Sequence, residues 1–125
     1  MSWETLESIL GRVAAPRTGW PGHDALAVLD EFCKLVEAKT GVKCQLVRGY
    51  LVNIGQEWKV MMAAATGGPE YVMLRAYIPA TGDTVHLDLY AEELAEARNA
   101  EELRVRLEAF VSEPVTQENL RLLAG

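Results

Sequence analysis

The residue types that most often do chemistry in proteins are scarce in this chain and widely separated. It has two histidines, His23 and His86, and two cysteines, Cys33 and Cys44. None of them falls in the H-x-x-x-H or C-x-x-C spacing by which a metal site is recognised in a sequence. No G-x-S-x-G segment for an activated serine occurs either. The sequence therefore predicts no metal, no cofactor and no catalytic nucleophile.

His86 is the more informative histidine because it lies in a stretch that alternates as a strand does. Around it the apolar residues point to one face, and the polar ones share the other with Tyr90. The preceding alternating run, residues 71–79, carries two tyrosines and an arginine on its second face. If the two runs pair, these side chains form one exposed surface, which consists of Tyr71, Arg75, Tyr77, His86, Asp88 and Tyr90.

This exposed surface has two functional interpretations and one purely structural one. Tyrosine and arginine are favoured at protein interfaces, which predicts a contact surface for a protein partner or a second copy of the chain. Alternatively, Arg75, Tyr77, His86 and Asp88 form a shallow ligand or catalytic site, in which His86 and Asp88 exchange a proton. The structural interpretation is a partly solvated face on which Arg75 and Asp88 form an ordinary cross-strand ion pair.

A glycine-rich segment before the strongest predicted helix is a candidate anion-binding loop. Arg17, Gly19, Gly22 and His23 lead into a helix N-terminus, where unpaired N–H groups favour a negative ligand. Against this, the segment lacks a P-loop pattern, and Asp24 is expected to cap the helix and to repel a phosphate. A connecting loop explains the same glycines and prolines without any ligand.

Four strand-like runs between Val42 and Tyr90 organise the elements that must position these residues. They cover residues 42–53, 57–65, 71–79 and 85–90, and short segments rich in glycine, proline and threonine separate them. Turns this short join antiparallel neighbours, so the runs predict a four-stranded antiparallel meander.

Helical patterns flank the predicted meander on both sides. An amphipathic segment starts at Ser2, and residues 25–40 form the strongest helix, which Gly41 ends. After the meander, residues 91–97 indicate a short helix, and Asn99 with Glu102 resembles a capping box that begins another helix. The sequence thus predicts a single α+β domain over residues 1–125, with two N-terminal helices and two to three C-terminal helices. Its expected core includes Leu29, Phe32, Leu74, Leu87, Leu107 and Phe110.

The charge and hydropathy of the chain narrow the range of its partners. The formal net charge is −6, which argues against binding to nucleic acid. No apolar run is long enough to span a bilayer, and the first ten residues carry acids where a signal peptide needs bases. A cytoplasmic location follows as the expectation, with Cys33 and Cys44 as buried free thiols.

These observations together predict a small cytoplasmic protein-binding or adaptor module with no chemistry of its own. It is expected to act through the open face of the sheet or by self-association. The alternative is a small enzyme or ligand-binding domain with its site around Arg75, Tyr77, His86 and Asp88.

Overall fold

The computed structural model describes residues 4–14, 19–52, 55–89 and 94–125, and these ranges form four helices and five strands. In chain order they are α1 (Glu4–Ala14), α2 (Gly22–Thr40), β1 (Lys43–Val52), β2 (Gly55–Ala63), β3 (Tyr71–Pro79), β4 (Val85–Asp88), β5 (Leu94–Ala97), α3 (Ala100–Ser112) and α4 (Pro114–Ala124). The predicted α+β class with an antiparallel sheet between helices is confirmed.

All five strands belong to one antiparallel sheet whose spatial order, β1-β2-β3-β4-β5, is the order of the sequence. The helices α2 and α3 pack on one face of this sheet, against β1 and β5 respectively. The two edge strands, β1 and β5, do not pair with each other. The sheet is therefore an open meander, covered by helices on one side.

The fifth strand corrects the prediction of a short helix at residues 91–97. Leu94–Ala97 pairs with β4 instead, with Val85 opposite Ala97 and His86 opposite Glu96. Alanine and glutamate favour helices, but pairing with β4 places Ala97 at zero exposure in the core. Tertiary burial therefore overrides local propensity in this segment.

Helix α2 begins earlier than its sequence predicts, and Asp24 is not its cap. The residue before the helix is Pro21, whose side chain cannot cap, and Asp24 lies in the first helical turn. Here its carboxylate complements the positive end of the helix dipole. The predicted end is confirmed, because Gly41 is left-handed (φ 77°) and donates its N–H to the carbonyl of Glu37.

Helix α3 begins as the sequence predicts. The Asn99 side chain accepts a hydrogen bond from the N–H of Glu102 at 2.8 Å, and the Glu102 carboxylate accepts one from the N–H of Arg98 at 3.0 Å. The first bond satisfies an N–H group that the helix end leaves unpaired, and the second fixes Arg98, the residue before the cap. Pro114 then starts α4 directly after α3, at a position where a missing N–H costs nothing.

The hydrophobic core lies between the sheet and the helices. Five of the six predicted core residues are buried there, namely Leu29, Leu74, Leu87, Leu107 and Phe110. Phe32 is only half-buried and packs at the margin of the core, so the prediction was wrong for this residue. In the described part of the chain no helix is long and apolar enough to cross a membrane.

Candidate interaction surfaces

The face of the sheet that the helices leave open carries most of the residues selected from the sequence. We call it the outer face, and its central residues on β2, β3 and β4 are Glu57, Lys59, Arg75, Tyr77, His86 and Asp88. The predicted neighbours are brought together, because Arg75 lies opposite Asp88 and Tyr77 lies opposite His86. Tyr90 lies outside the described residues.

The charged side chains of the outer face form ion pairs with each other, and the N–O distances of these pairs are long. Arg75 Nη1 lies 3.9 Å from Asp88 Oδ2, and His86 Nδ1 lies 3.7 Å from Glu96 Oε1. The four side chains are roughly half-exposed, so solvent screens these ion pairs and each contributes little to stability. The ion-pair partner of His86 is a glutamate on β5, which the sequence did not indicate because that segment reads as a helix.

Glu57 is the residue of the outer face that sequence reasoning missed. Only 8% of it is exposed, and its Oε1 atom has no hydrogen-bond partner, although Lys59 Nζ lies 3.7 Å away. The carboxylate fits because Gly49 has no side chain: a Cβ there would lie 2.5 Å from Glu57 Oε1. Gly49 was the available signal, since a glycine within a strand marks a bulge or a close approach.

Tyr77 lies opposite Glu57, on the neighbouring strand. Partial burial raises the pKa of its phenol above the ordinary value, and the negative charges of Glu57 and Asp88 raise it further. The phenol is protonated at neutral pH, as an ordinary tyrosine is, and is able to donate a hydrogen bond. No acid–base role follows from this direction, because a catalytic phenol needs a lowered pKa.

A bulge in β3 moves Tyr71 away from the outer face and corrects its predicted place. The register between β2 and β3 shifts by one residue at Val60/Met61, opposite Met73. Since a shift of one residue exchanges the two faces of a strand, Tyr71 and Met73 come to lie on the helix side. There they line a cavity of about 380 Å³ with Asn119, Leu122 and Leu123 of α4.

The predicted anion loop has a structural role in the described part of the chain. The Trp20 indole N–H donates to the carbonyl of Asp83 at 2.6 Å, which ties the loop to the β3–β4 turn. The first-turn N–H groups of Asp24 and Ala25 are already occupied by the carbonyls of Gly19 and Pro21. His23 faces the Asp24 carboxylate at 3.4 Å, which disfavours an anion, and Arg17 lies outside the described residues.

The two cysteines meet in the core between α2 and β1. Both are buried and present as free thiols, as the sequence suggested. A hydrogen bond between the thiols lowers the pKa of Cys33 and, together with burial, raises that of Cys44. Within the described ranges, no three histidine, cysteine or acidic side chains converge as a metal site would require.

A second candidate surface lies on the helix side, where the three helices α2, α3 and α4 leave a groove between them. We call it the helix groove. Its volume is about 420 Å³, and its lining is mostly aliphatic and aromatic. Its apolar walls are formed by Val28, Phe32, Leu35, Val36, Leu107, Val111 and Leu120, and its charged rim by Glu31, Lys39, Arg104 and Glu108.

The helix groove explains why two large apolar residues of α2 are not buried. Leu35 is 53% exposed, and Phe32 is half-buried although it belongs to the stripe that faces the core. At the rim, Arg104 of α3 pairs with Glu31 of α2 at 3.7 Å, which links the two walls. The stripe itself was visible in the sequence. The unfilled space was not, because it depends on how far apart the three helices pack.

Comparison with known proteins gives no match for this chain. It matches no protein-family profile, no curated protein and no solved structure.

Proposed function

We propose that this protein is a small cytoplasmic protein-binding module without chemistry of its own, and that its helix groove receives an amphipathic helix of a protein partner. The observation that carries the proposal is the groove itself, an apolar cleft of about 420 Å³ with Leu35 and Phe32 displayed in it. Apolar grooves between helices are a recurring way to bind an amphipathic helix, which inserts side chains spaced i, i+3, i+4 and i+7.

The charges at the rim indicate what such a helix should look like. Glu31 and Arg104 already pair with each other. Lys39 on the α2 wall and Glu108 on the α3 wall form no ion pair within the described ranges. A matching helix therefore carries an acid on one flank of its apolar stripe and a base on the other flank, because opposite charges across an interface fix orientation.

The outer face supports this function less well than the helix groove does. Its charges are spread over a sheet surface and are paired with each other, Arg75 with Asp88 and His86 with Glu96. The one observation that favours the alternative, a ligand-binding site, is the nearly buried Glu57 carboxylate beside Tyr77. A small cation that binds there should lose at least about tenfold in affinity on Glu57→Gln.

The proposal is tested with a defined helical probe. A fluorescein-labelled peptide with the sequence of residues 1–16 has the required pattern in Leu6, Ile9, Leu10 and Val13. We expect saturable binding to the full chain by fluorescence anisotropy, weakened at least about tenfold by Leu35→Glu because a charge is placed in an apolar contact. The matched control is Leu51→Glu, which changes a leucine that is 82% exposed and lies far from the groove.

Two results would count against the groove. The first is the absence of saturable binding at peptide concentrations up to the millimolar range. The second is an equal loss of affinity in Leu35→Glu and Leu51→Glu, which would mean that the peptide binds exposed leucines without regard to the groove.

A further inference from the structure

Helix α1 is an amphipathic helix whose apolar stripe is exposed. It has 11 residues, and its apolar side chains Leu6, Ile9 and Leu10 are 39%, 43% and 54% exposed. It packs extensively against no other helix or strand of the described residues. Isolated helices shorter than about 12–15 residues are marginal in water even for alanine-rich sequences, and the internal Gly11 weakens this one further. A stable α1 therefore needs a surface to cover its apolar stripe.

We propose that α1 is a strap that closes over the helix groove of its own chain and that a partner helix must displace it. The proposal rests on the proposed function, since it names the regulation of the same site. Both the stripe of α1 and the walls of the groove are apolar and exposed. Contact between them would remove both surfaces from water, which is favourable.

The length of the chain between α1 and α2 permits this closure. The groove runs along α2 from Val28 to Thr40, which is about 18 Å at the rise of an α-helix, and α1 is about 16 Å long. Gly19 is held near the start of α2, because the N–H of Asp24 donates to its carbonyl. The near end of the groove is about 13 Å from that point. This distance combines the rise along α2 with one interhelix distance at right angles to it. Five Cα–Cα steps from Ala14 to Gly19 reach about 17 Å.

Charge complementarity supports the same arrangement. At 100° per residue, Glu7 and Arg12 lie on opposite flanks of the α1 stripe. A connection this short favours an antiparallel α1, which directs Glu7 toward the C-terminal end of α2, where Lys39 lies. When Glu7 faces the α2 wall, Arg12 faces the α3 wall, which carries Glu108. The flanks of α1 thus match the two rim charges that have no ion-pair partner in the described chain.

Closure of the strap also explains why one chain carries both an exposed amphipathic helix and a helix groove. A groove that is occupied by α1 for most of the time binds an external helix with an affinity lowered by the open fraction. Occupation for 80–90% of the time weakens external binding by about five- to tenfold. While it is closed, the strap covers the apolar walls and prevents non-specific contacts. A partner helix that binds the groove more tightly displaces it.

The test uses the full chain with a disabled strap and a matched control. Leu6→Asp/Leu10→Asp puts charges on the apolar stripe, whereas Ser8→Asp adds a charge to the opposite, exposed side of α1. We expect the double variant to bind the labelled peptide of residues 1–16 about five- to tenfold more tightly than the wild type, and Ser8→Asp to bind it unchanged. Amide hydrogen exchange in α1 should be about five- to tenfold slower in the wild type than in the double variant and in Leu35→Glu.

The outcomes separate this inference from the proposed function. If the peptide binds wild type and double variant equally, or if wild-type α1 exchanges as fast as an unstructured peptide, the strap is refuted while the groove remains a helix receptor. If the peptide binds neither protein, the groove is not a helix receptor and both proposals fail. If slow exchange in α1 requires a dimer in sedimentation equilibrium, α1 lies in the groove of a second copy, and closure within one chain is refuted.

Discussion

Replacing Gly55 with alanine tests the placement of the strands more sharply than any core truncation. Gly55 is the first residue of β2, where it lies opposite Val52 of β1 and Pro79 of β3. Its φ of +149° belongs to a region that residues with a side chain rarely adopt. A Cβ at this position would overlap the carbonyl oxygen of Ile78 and come within 2.8 Å of its carbonyl carbon.

The expected cost follows from these two effects. Backbone strain at a glycine-only conformation costs about 1–3 kcal/mol. The clashing atoms belong to the backbone of β3, so relief requires the two strands to separate locally, with the loss of one or two hydrogen bonds at about 1 kcal/mol each. We therefore expect Gly55→Ala to lower the free energy of unfolding by about 2–5 kcal/mol, out of the roughly 5–15 kcal/mol usual for a domain.

The matched control is Gly82→Ala, and the assay is urea unfolding followed by circular dichroism. Gly82 also has a positive φ, +89°, but a Cβ there would meet nothing within 4 Å. This variant should lose only about 1 kcal/mol, from the left-handed conformation alone. Equal losses in the two variants, within about 0.5 kcal/mol, would show that the close approach of Gly55 to Ile78 does not exist in solution.

Three further predictions follow from single contacts. Phe110→Ala, at 1% exposure, should lower the free energy of unfolding by about 3–5 kcal/mol, and Phe32→Ala by clearly less, since Phe32 packs only at the margin of the core; equal losses in urea unfolding would mean that Phe32 is packed as tightly as Phe110. Asn99→Ala should cost about 1 kcal/mol through loss of the α3 cap, and no change in the denaturation midpoint would contradict the 2.8 Å hydrogen bond to Glu102. The raised pKa of Tyr77 makes its neutral form the one that folding favours, so its contribution to stability is complete below about pH 10 and is lost as the pH rises through the folded value. The fall in stability above about pH 10 should therefore be smaller in Tyr77→Phe than in wild type when both are unfolded by urea at successive pH values.

The predictable part of the fold is the part whose signals are local. The helix ending at Gly41 and the runs that became β1 to β4 follow from periodicity and turn residues within a few positions of each other. The pairing of Arg75 with Asp88 follows from the short turn between β3 and β4 in the same way. The cap at Asn99 is equally local, because the residues that make it are three positions apart.

The rest depended on contacts between distant segments, which a single sequence does not show. Leu94–Ala97 is a strand only because β4 lies beside it with a free edge. Tyr71 changes face because of a one-residue bulge, and no residue type marks that bulge in β3. The burial of Glu57 required the space above Gly49, and the helix groove required the spacing of three helices.

The meander order of the sheet has a consequence for how the chain reaches its native state. Every strand pairs only with its neighbours in sequence, so each hairpin closes a short loop and contributes contacts as soon as it forms. Sheets of this kind have a low contact order for their strand content, and low contact order goes with fast folding. Longer closures bring α2 together with α3 and α4. Assembly can therefore proceed hairpin by hairpin during synthesis, with the helix groove formed last, when α4 packs beside α2 and α3.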